Sequence, residues 1–293
     1  MSGAREAAVQ ALVRTEEGGY SNLVLKSQLA RFGGTAQERA FAAAVFYGTV
    51  ERKNTLDYCL GKFLQKPLSR LDAPVRAILR AGLYQAKYMQ SVPVHAAVSE
   101  SVALCRRMRK ASAAGLVNAV LRRAAAVDVG KETFESETQR LCVQYSVSQP
   151  VAELLQRQLP AYAERLLAAS FEKPALAVRV NTLRTTPQAL SAQLAAHGVK
   201  ARPGRVANSL VLEGAGDVAA LPEFCSGLFH VQGEASQAAC AALAPRPGEK
   251  VLDMCAAPGG KSATLAQYME NKGALFSRDA VQSRVPLIDE TLA

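Results

Sequence analysis

LDMCAAPGGKSATL, residues 252–265, is the stretch on which the reading of the fold turns. A short apolar run ends in Asp253, passes through Pro258-Gly259-Gly260-Lys261, and opens into a helix from about Ser262. A strand, a glycine-bearing turn and a helix make half of a nucleotide-binding unit. Gly259 and Gly260 let the backbone approach a ligand closely. The helix start offers unpaired N–H groups and the positive end of its dipole to negative charge. Asn271-Lys272-Gly273 ends that helix, ALFS (274–277) is the next strand, and Asp279 follows it, 19 residues after Gly260. An acid in that place can accept hydrogen bonds from ribose hydroxyls.

Three ligands compete for the loop. A P-loop needs GxxxxGK[ST]; Gly260-Lys261-Ser262 fits its end, but Cys255 stands where its first glycine belongs. A dinucleotide fingerprint needs GxGxxG, which is absent here. S-adenosylmethionine has a ribose and a carboxylate but no phosphate, and one wide turn plus one acid suits it. An ordinary strand-to-helix turn is the fourth reading, and Asp279 weighs against it.

Upstream of the loop the hydrophobic period changes twice. Residues 1–126 read as helices throughout. Thr35-x-x-Glu38 is a capping box behind Gly33 and Gly34, and Asp72 is placed to cap a helix that carries Pro74 in its first turn. Val75, Ile78, Leu79, Leu83 and Ala86 recur at helical spacing, as do Val98, Val102 and Cys105, and Leu116, Val117, Val120 and Leu121. Several helices without a strand signal predict a helical bundle. Residues 131–170 are helical but looser, broken by Pro150 and Pro160. Then LAVRVNTL (176–183), SLVLEG (209–214), LFHVQG (228–233) and KVLDM (250–254) read as strands, with helices after Thr186-Pro187, over 217–224 and through Ala244. Alternating strands and helices predict an α/β arrangement.

The 293 residues are enough for two or three domains. No run approaches the ~18 apolar residues of a membrane span, and the start has no signal-peptide pattern. Six cysteines lie scattered without a CxxC pair, which argues against a zinc site and a disulfide framework and for a reducing cytoplasm. The net charge of +10 is uneven: residues 1–130 hold 19 Lys+Arg against 9 Asp+Glu, and the remainder hold 16 of each. A basic first half joined to a neutral second half suggests a polyanion-binding module, with simple solubility as the plainer alternative. Arg76 and Arg80 on one helix face, Arg106, Arg107, Arg109 and Lys110 after another helix, and Arg122 and Arg123 at the end of the next are the candidate nucleic-acid contacts. Each run also suits a solvated face or a helix C-terminus.

DMCAAPGGK (253–261) resembles motif I of the RNA 5-methylcytosine methyltransferases. GLFHVQGEASQ (227–237) is similar to that family's lead-in, usually written VQDEAS, with Gly233 in place of Asp, and RVNTL (179–183) resembles its upstream segment. RAILRAGLYQ (76–85), VPVHAAVSESVAL (92–104) and GLVNAVLRR (115–123) are similar to the NusB family of RNA-binding bundles. The order resembles that of the RsmB/Sun-type 16S ribosomal RNA methyltransferases. The resemblance implies a multidomain α and α/β chain: an all-α NusB-like domain at 1–130, a helical connector at 131–170, a small ferredoxin-like α+β RNA-binding subdomain at 171–245, and the start of a Rossmann-like methyltransferase domain at 246–293. It implies S-adenosylmethionine as cofactor, held by Cys255, Ala256, Ala257, Pro258, Gly259, Gly260 and Lys261 at its methionine end and by Asp279 at its ribose. It implies 16S rRNA as partner, with no membrane and no metal, for a cytoplasmic monomer.

The family's chemistry asks for more. Carbon 5 of cytosine is a poor nucleophile, and in the family a cysteine thiolate adds to the neighbouring ring carbon to activate it. The resemblance puts that cysteine in Pro-Cys or Thr-Cys motifs beyond the ribose acid. None of the six cysteines here follows Pro or Thr, and all precede Asp279, 14 residues from the end. Two parallel strands and one helix also make less than a covered sheet, and Pro286 falls where a last helix should continue. The expectation is therefore a methyltransferase front part, with its nucleophile beyond residue 293 and inactive by itself. The rivals are an RNA-binding NusB-like protein with an idle remnant and an NTPase using Gly260-Lys261-Ser262.

Overall fold

The computed structural model describes residues 2–18, 21–172 and 174–292. It divides into two units, Met1–Glu172 and Lys173–Ala293.

Unit 1 is all helical: α1 (Ser2–Glu16), α2 (Ser21–Phe32), α3 (Ala36–Glu51), α4 (Lys53–Gly61), α5 (Ala73–Tyr88), α6 (Val94–Arg107), α7 (Ala114–Ala124), α8 (Glu137–Gln144), α9 (Gln149–Gln158) and α10 (Ala163–Ala169). The capping box at α3 forms: Thr35 Oγ1 accepts from Glu38 N–H while the Glu38 carboxylate accepts from Thr35 N–H. Asp72 stands at the N-cap of α5 without capping it; its carboxylate is drawn away by Lys110 at 2.7 Å. The apolar stripes meet in one core in which Phe46, Leu56, Leu60, Leu79, Leu83 and Leu121 are fully buried. Leu116 is an exception, exposed on the flank of α7.

Residues 131–172 are part of this unit and not a separate connector. Thr55 Oγ1 donates to Val143 O at 2.6 Å, Asn54 donates to Val147 O at 2.8 Å, and Tyr58 OH donates to Glu132 at 2.9 Å. A small second core of Leu141, Ala152 and Leu167 lies within it.

Unit 2 begins with β1 (Leu176–Val180), α11 (Pro187–Ala196), β2 (Lys200–Pro203), β3 (Ser209–Glu213), α12 (Pro222–Cys225) and β4 (Phe229–Val231). The four strands form one antiparallel sheet in the order β2-β3-β1-β4. This is the small ferredoxin-like α+β arrangement expected of this segment. One face packs Val178, Val180, Leu210, Leu212 and Phe229 against Leu190 and Leu194 of α11. Thr186 caps α11 by accepting from Ala189 N–H.

Next come α13 (Glu234–Leu243), β5 (Lys250–Asp253), α14 (Gly260–Tyr268), β6 (Ala274–Ser277) and α15 (Val285–Leu292). β5 and β6 pair in parallel, Val251 opposite Leu275 and Leu252 opposite Phe276. Cys240 of α13 joins Val251, Leu265 and Met269 in one cluster, so α13 packs with the strands after it. The boundary expected at 245/246 therefore moves upstream of α13. Gly233 is the N-cap of that helix and offers no side-chain bond. Pro286 is the second residue of α15, not an interior one, because a 3-10 turn at 282–284 precedes the helix. A first-turn proline forfeits no helical hydrogen bond.

Candidate functional site

The site grows from the parallel pair. Val251 points into the core, so Asp253 stands at the end of β5 where the chain leaves the sheet. Its Oδ1 accepts from Cys255 N–H at 3.3 Å and its Oδ2 from Ser262 Oγ at 2.9 Å. Ser277 Oγ, at the end of β6, lies 2.9 Å from Ser262 Oγ. This chain of side chains joins both strand ends to the first turn of α14. Main-chain bonds complete the frame: Arg278 N–H donates to Asp253 O at 2.8 Å, and Ala256 N–H to Arg278 O at 2.9 Å. Asp253 and Ser277 were not among the residues expected at the site, and Ser262 was expected there only as the end of a P-loop. Their signal was present, since a serine in the first turn of a helix faces the strand end before it.

Asp279 lies beside the loop. Its Oδ2 accepts from Ala257 N–H at 3.1 Å and its Oδ1 from Val281 N–H at 3.0 Å. An ionised carboxylate has about four lone-pair sites, so both oxygens keep capacity for ligand hydroxyls.

The two glycines do different work from that expected of them. Gly259 has φ +112°, and a Cβ there would come within 2.9 Å of Thr291 Cβ and 3.3 Å of Ile288 Cα. What approaches Gly259 closely is α15, whose Thr291 Oγ1 also donates to Pro258 O at 2.6 Å. A Cβ on Gly260 would meet only Gln232 and His230, at 3.8 and 4.0 Å. Gly259 is thus explained by a contact within the protein, whereas Gly260 has ordinary space around it. Ligand approach is left to the loop's other side. There Ala263 N–H donates to Gly259 O, so the N–H groups of residues 260–262 precede the first helical bond. Cys255, Pro258 and Lys261 are exposed around them.

This loop is braced from behind by the ferredoxin-like sheet. Gln232 Nε2 donates to Gly260 O at 3.0 Å, and Thr264 Oγ1 donates to Gln232 Oε1 at 2.8 Å. His230 Nε2 lies 3.4 Å from Thr264 Oγ1. Burial lowers the His230 pKa, against the pull of the Gly260 carbonyl, and nearby Arg179 adds to the lowering. Arg179 itself is 1% exposed; its Nε donates to Gln267 Oε1 at 2.9 Å, its guanidinium to Ala207 O at 2.8 Å, and it lies 5.2 Å from the centre of the Tyr268 ring. Among the described residues it has no carboxylate partner. Three side chains of the motif segments RVNTL and FHVQG thus serve to seat α14.

In unit 1 several of the candidate RNA contacts are already paired with carboxylates. Arg80 is buried and paired with both Asp57, at 2.6 Å, and Glu16; Arg76 binds Glu16 at 2.6 Å. These two are corrected to structural ion pairs, because their guanidinium forks are already filled by carboxylates. Arg107 pairs with Glu6 at 3.5 Å and Lys110 with Asp72. Arg106 and Arg109 are exposed beside them. Arg122, bonded to Asn118, and Arg123, 4.4 Å from the centre of the Phe63 ring, lie at the far end of α7, ~12 Å along its axis from its start.

Comparison with known proteins accounts for this order of parts. Residues 2–126 match the NusB family, residues 151–219 the ferredoxin-like domain of RsmF/B-like methyltransferases, and residues 240–293 the 16S rRNA methyltransferase RsmB/F family. The chain belongs to the RsmB/F methyltransferase family. The probable ribosomal RNA small subunit methyltransferase B of Bacillus subtilis is 34% identical over 98% of this chain, and the ribosomal RNA small subunit methyltransferase B of Pseudomonas putida is 33% identical over 98%. The chain spans 64% and 65% of the length of these two curated relatives. A crystal structure of the protein PH0851 shares the fold, with a TM-score of 0.75 at 23% identity over 99% of this chain and 66% of that one. Among the described residues of this RsmB/F-family chain, no helix is long and apolar enough to cross a membrane.

Proposed function

We propose that the loop 255–261 with Asp279 holds S-adenosylmethionine, and that unit 1 binds 16S rRNA, in the service of 5-methylcytosine formation. The observation that carries the cofactor reading is the tie between Asp279 and Ala257 N–H. It sets the acid beside the loop with lone pairs to spare for a ribose. The residues present fit the group. Asp279 offers acceptors for the hydroxyls, and the first-turn N–H groups of α14 offer donors for the carboxylate of the methionine end. Lys261, exposed on that turn, adds a positive charge. When bound, the cofactor supplies an electrophilic methyl group. The chain's own residues orient it: Asp253, Ser262 and Ser277 hold the loop's base, and Gln232 and Thr264 hold α14 behind it.

The cytosine step needs a thiolate at the base, and we assign that role to none of the six cysteines here. Cys59, Cys105 and Cys240 are buried, and Cys142 is partly covered. Burial raises the pKa of all four. Cys225 and Cys255 are exposed, Cys255 within the cofactor loop itself. Incubated with unmodified 16S rRNA and the cofactor, these 293 residues are expected to form no 5-methylcytosine.

The test is equilibrium dialysis with labelled S-adenosylmethionine. Saturable binding that falls at least ~10-fold in Asp279→Ala supports the reading. Binding indifferent to Asp279, or no binding by a folded chain, overturns it and leaves an RNA-binding protein.

A further inference from the structure

A groove of about 540 Å³ runs between α2 and α3 of unit 1. Leu25, Leu29, Ala30 and Ala43 form its floor, Lys26 and Arg39 flank it, and Tyr47 lines it too. No acidic side chain lines it. Both cations are exposed, and among the described residues neither pairs with a carboxylate; Arg39 spends one N–H on Gly34 O. Tyr47 is 47% exposed, and its ring meets Phe46 in a T-shaped contact at 74°. A second groove, of about 320 Å³, between the 63–71 segment and α7 differs on this point. Its Phe63 ring is already covered by the Arg123 guanidinium.

We propose that the α2–α3 groove is a binding site for single-stranded RNA, taking one unpaired base against Tyr47 and its phosphates on Lys26 and Arg39. The inference rests on the reading of unit 1 as an RNA-binding module and places its contact away from every arginine run visible in the sequence. A half-exposed aromatic side chain beside cations without carboxylate partners is a combination that binds unpaired nucleotides. Small floor residues leave room for the base, and the volume suits one nucleotide. A duplex keeps its bases stacked and paired inside, so it cannot offer one to the ring. An acidic or apolar peptide would use the floor and the cations but would have no need of the ring.

The experiment measures anisotropy of a labelled single-stranded 10-mer, and of the same sequence as a duplex, with the full 293-residue chain. Tyr47→Ala should weaken single-strand binding ~10-fold or more and Tyr47→Phe less than ~3-fold. Lys26→Gln and Arg39→Gln should each lower the salt slope by about one. A 4-thiouridine 10-mer should cross-link to the tryptic segment 40–52, which carries Tyr47. Thermal melts of the variants should match the unaltered chain, since all three side chains are exposed. Unchanged affinity in all the variants, with cross-links elsewhere, overturns the groove, keeps RNA binding for unit 1, and leaves the groove to a protein ligand. Equal affinity for the duplex overturns the single-strand assignment. No RNA binding at all overturns the groove and the reading of unit 1 together.

Discussion

Gly259 and Gly260 stand side by side and answer to different constraints. Gly259 adopts φ +112° and lies against α15; Gly260 begins α14 with ordinary space around it. Gly259→Ala should therefore lose both a permitted conformation and a close helix contact. About 2–4 kcal/mol of stability should go with it. Gly260→Ala should be within about 0.5 kcal/mol of neutral, helped by the helix propensity of alanine. Paired chemical denaturation curves separate the two, and equal losses would contradict the packing described. Arg80 makes a second residue-scale case. Removing it by Arg80→Ala strands Asp57 without its guanidinium and leaves Glu16 with Arg76 alone. Breaking a fully buried pair costs about 3–5 kcal/mol; with both carboxylates still touching water, about 2–4 is expected here. RNA affinity should not change, which distinguishes a structural arginine from a phosphate contact.

Elements explain more of the chain than their residues do singly. α14 is held by Arg179, Gln232 and His230, all from the ferredoxin-like sheet, so its position depends on strands that end 28 or more residues earlier. Arg179→Met would leave Gln267 Oε1 and Ala207 O without their donor inside unit 2. About 2–4 kcal/mol is expected to be lost there. Hydrogen exchange should rise across residues 260–268 and stay unchanged across 94–124. Local chemistry made several elements legible in the sequence: the Thr35/Glu38 box, the Thr186 cap, the Gly loop and the acid after ALFS all act within a few residues of themselves. What stayed hidden depends on distant partners. β2 was missed because KARP is an exposed edge strand whose pairing comes from β3. Asp72 looked like a cap until Lys110, 38 residues away, claimed it. Arg80 looked solvated because its carboxylates lie on α1 and α4. In the site, Asp279 was legible by spacing, whereas the true contacts of Gly259 belong to a helix that follows it by 26 residues.

The whole molecule carries two different sensitivities to acid. In unit 1, burial alone would raise the Glu16 pKa, but Arg76 and Arg80 outweigh it and hold the carboxylate below its ordinary 4.5. In unit 2, burial holds His230 below its ordinary 6.5. In both cases the unfolded chain takes up the proton first, so the stabilisation is complete above the ordinary value and is lost as pH falls. The order of loss follows: unit 2 should loosen as pH drops below about 6.5, and unit 1 only below about 4.5. Exchange measured at pH 7 and pH 5.5 should show protection falling around residues 228–268 and holding in the bundle. His230→Gln should remove the difference.

The bond from Arg179 to Gln267 spans 88 residues. A ribosome adding ~5–20 residues per second reaches the second partner roughly 4–18 s after the first. Throughout that interval the guanidinium of β1 waits without the helix that buries it. The antiparallel sheet can pair its strands early, but its outer face is finished last. A pause or a cut between the two positions leaves a charged, unburied sheet surface on the young chain.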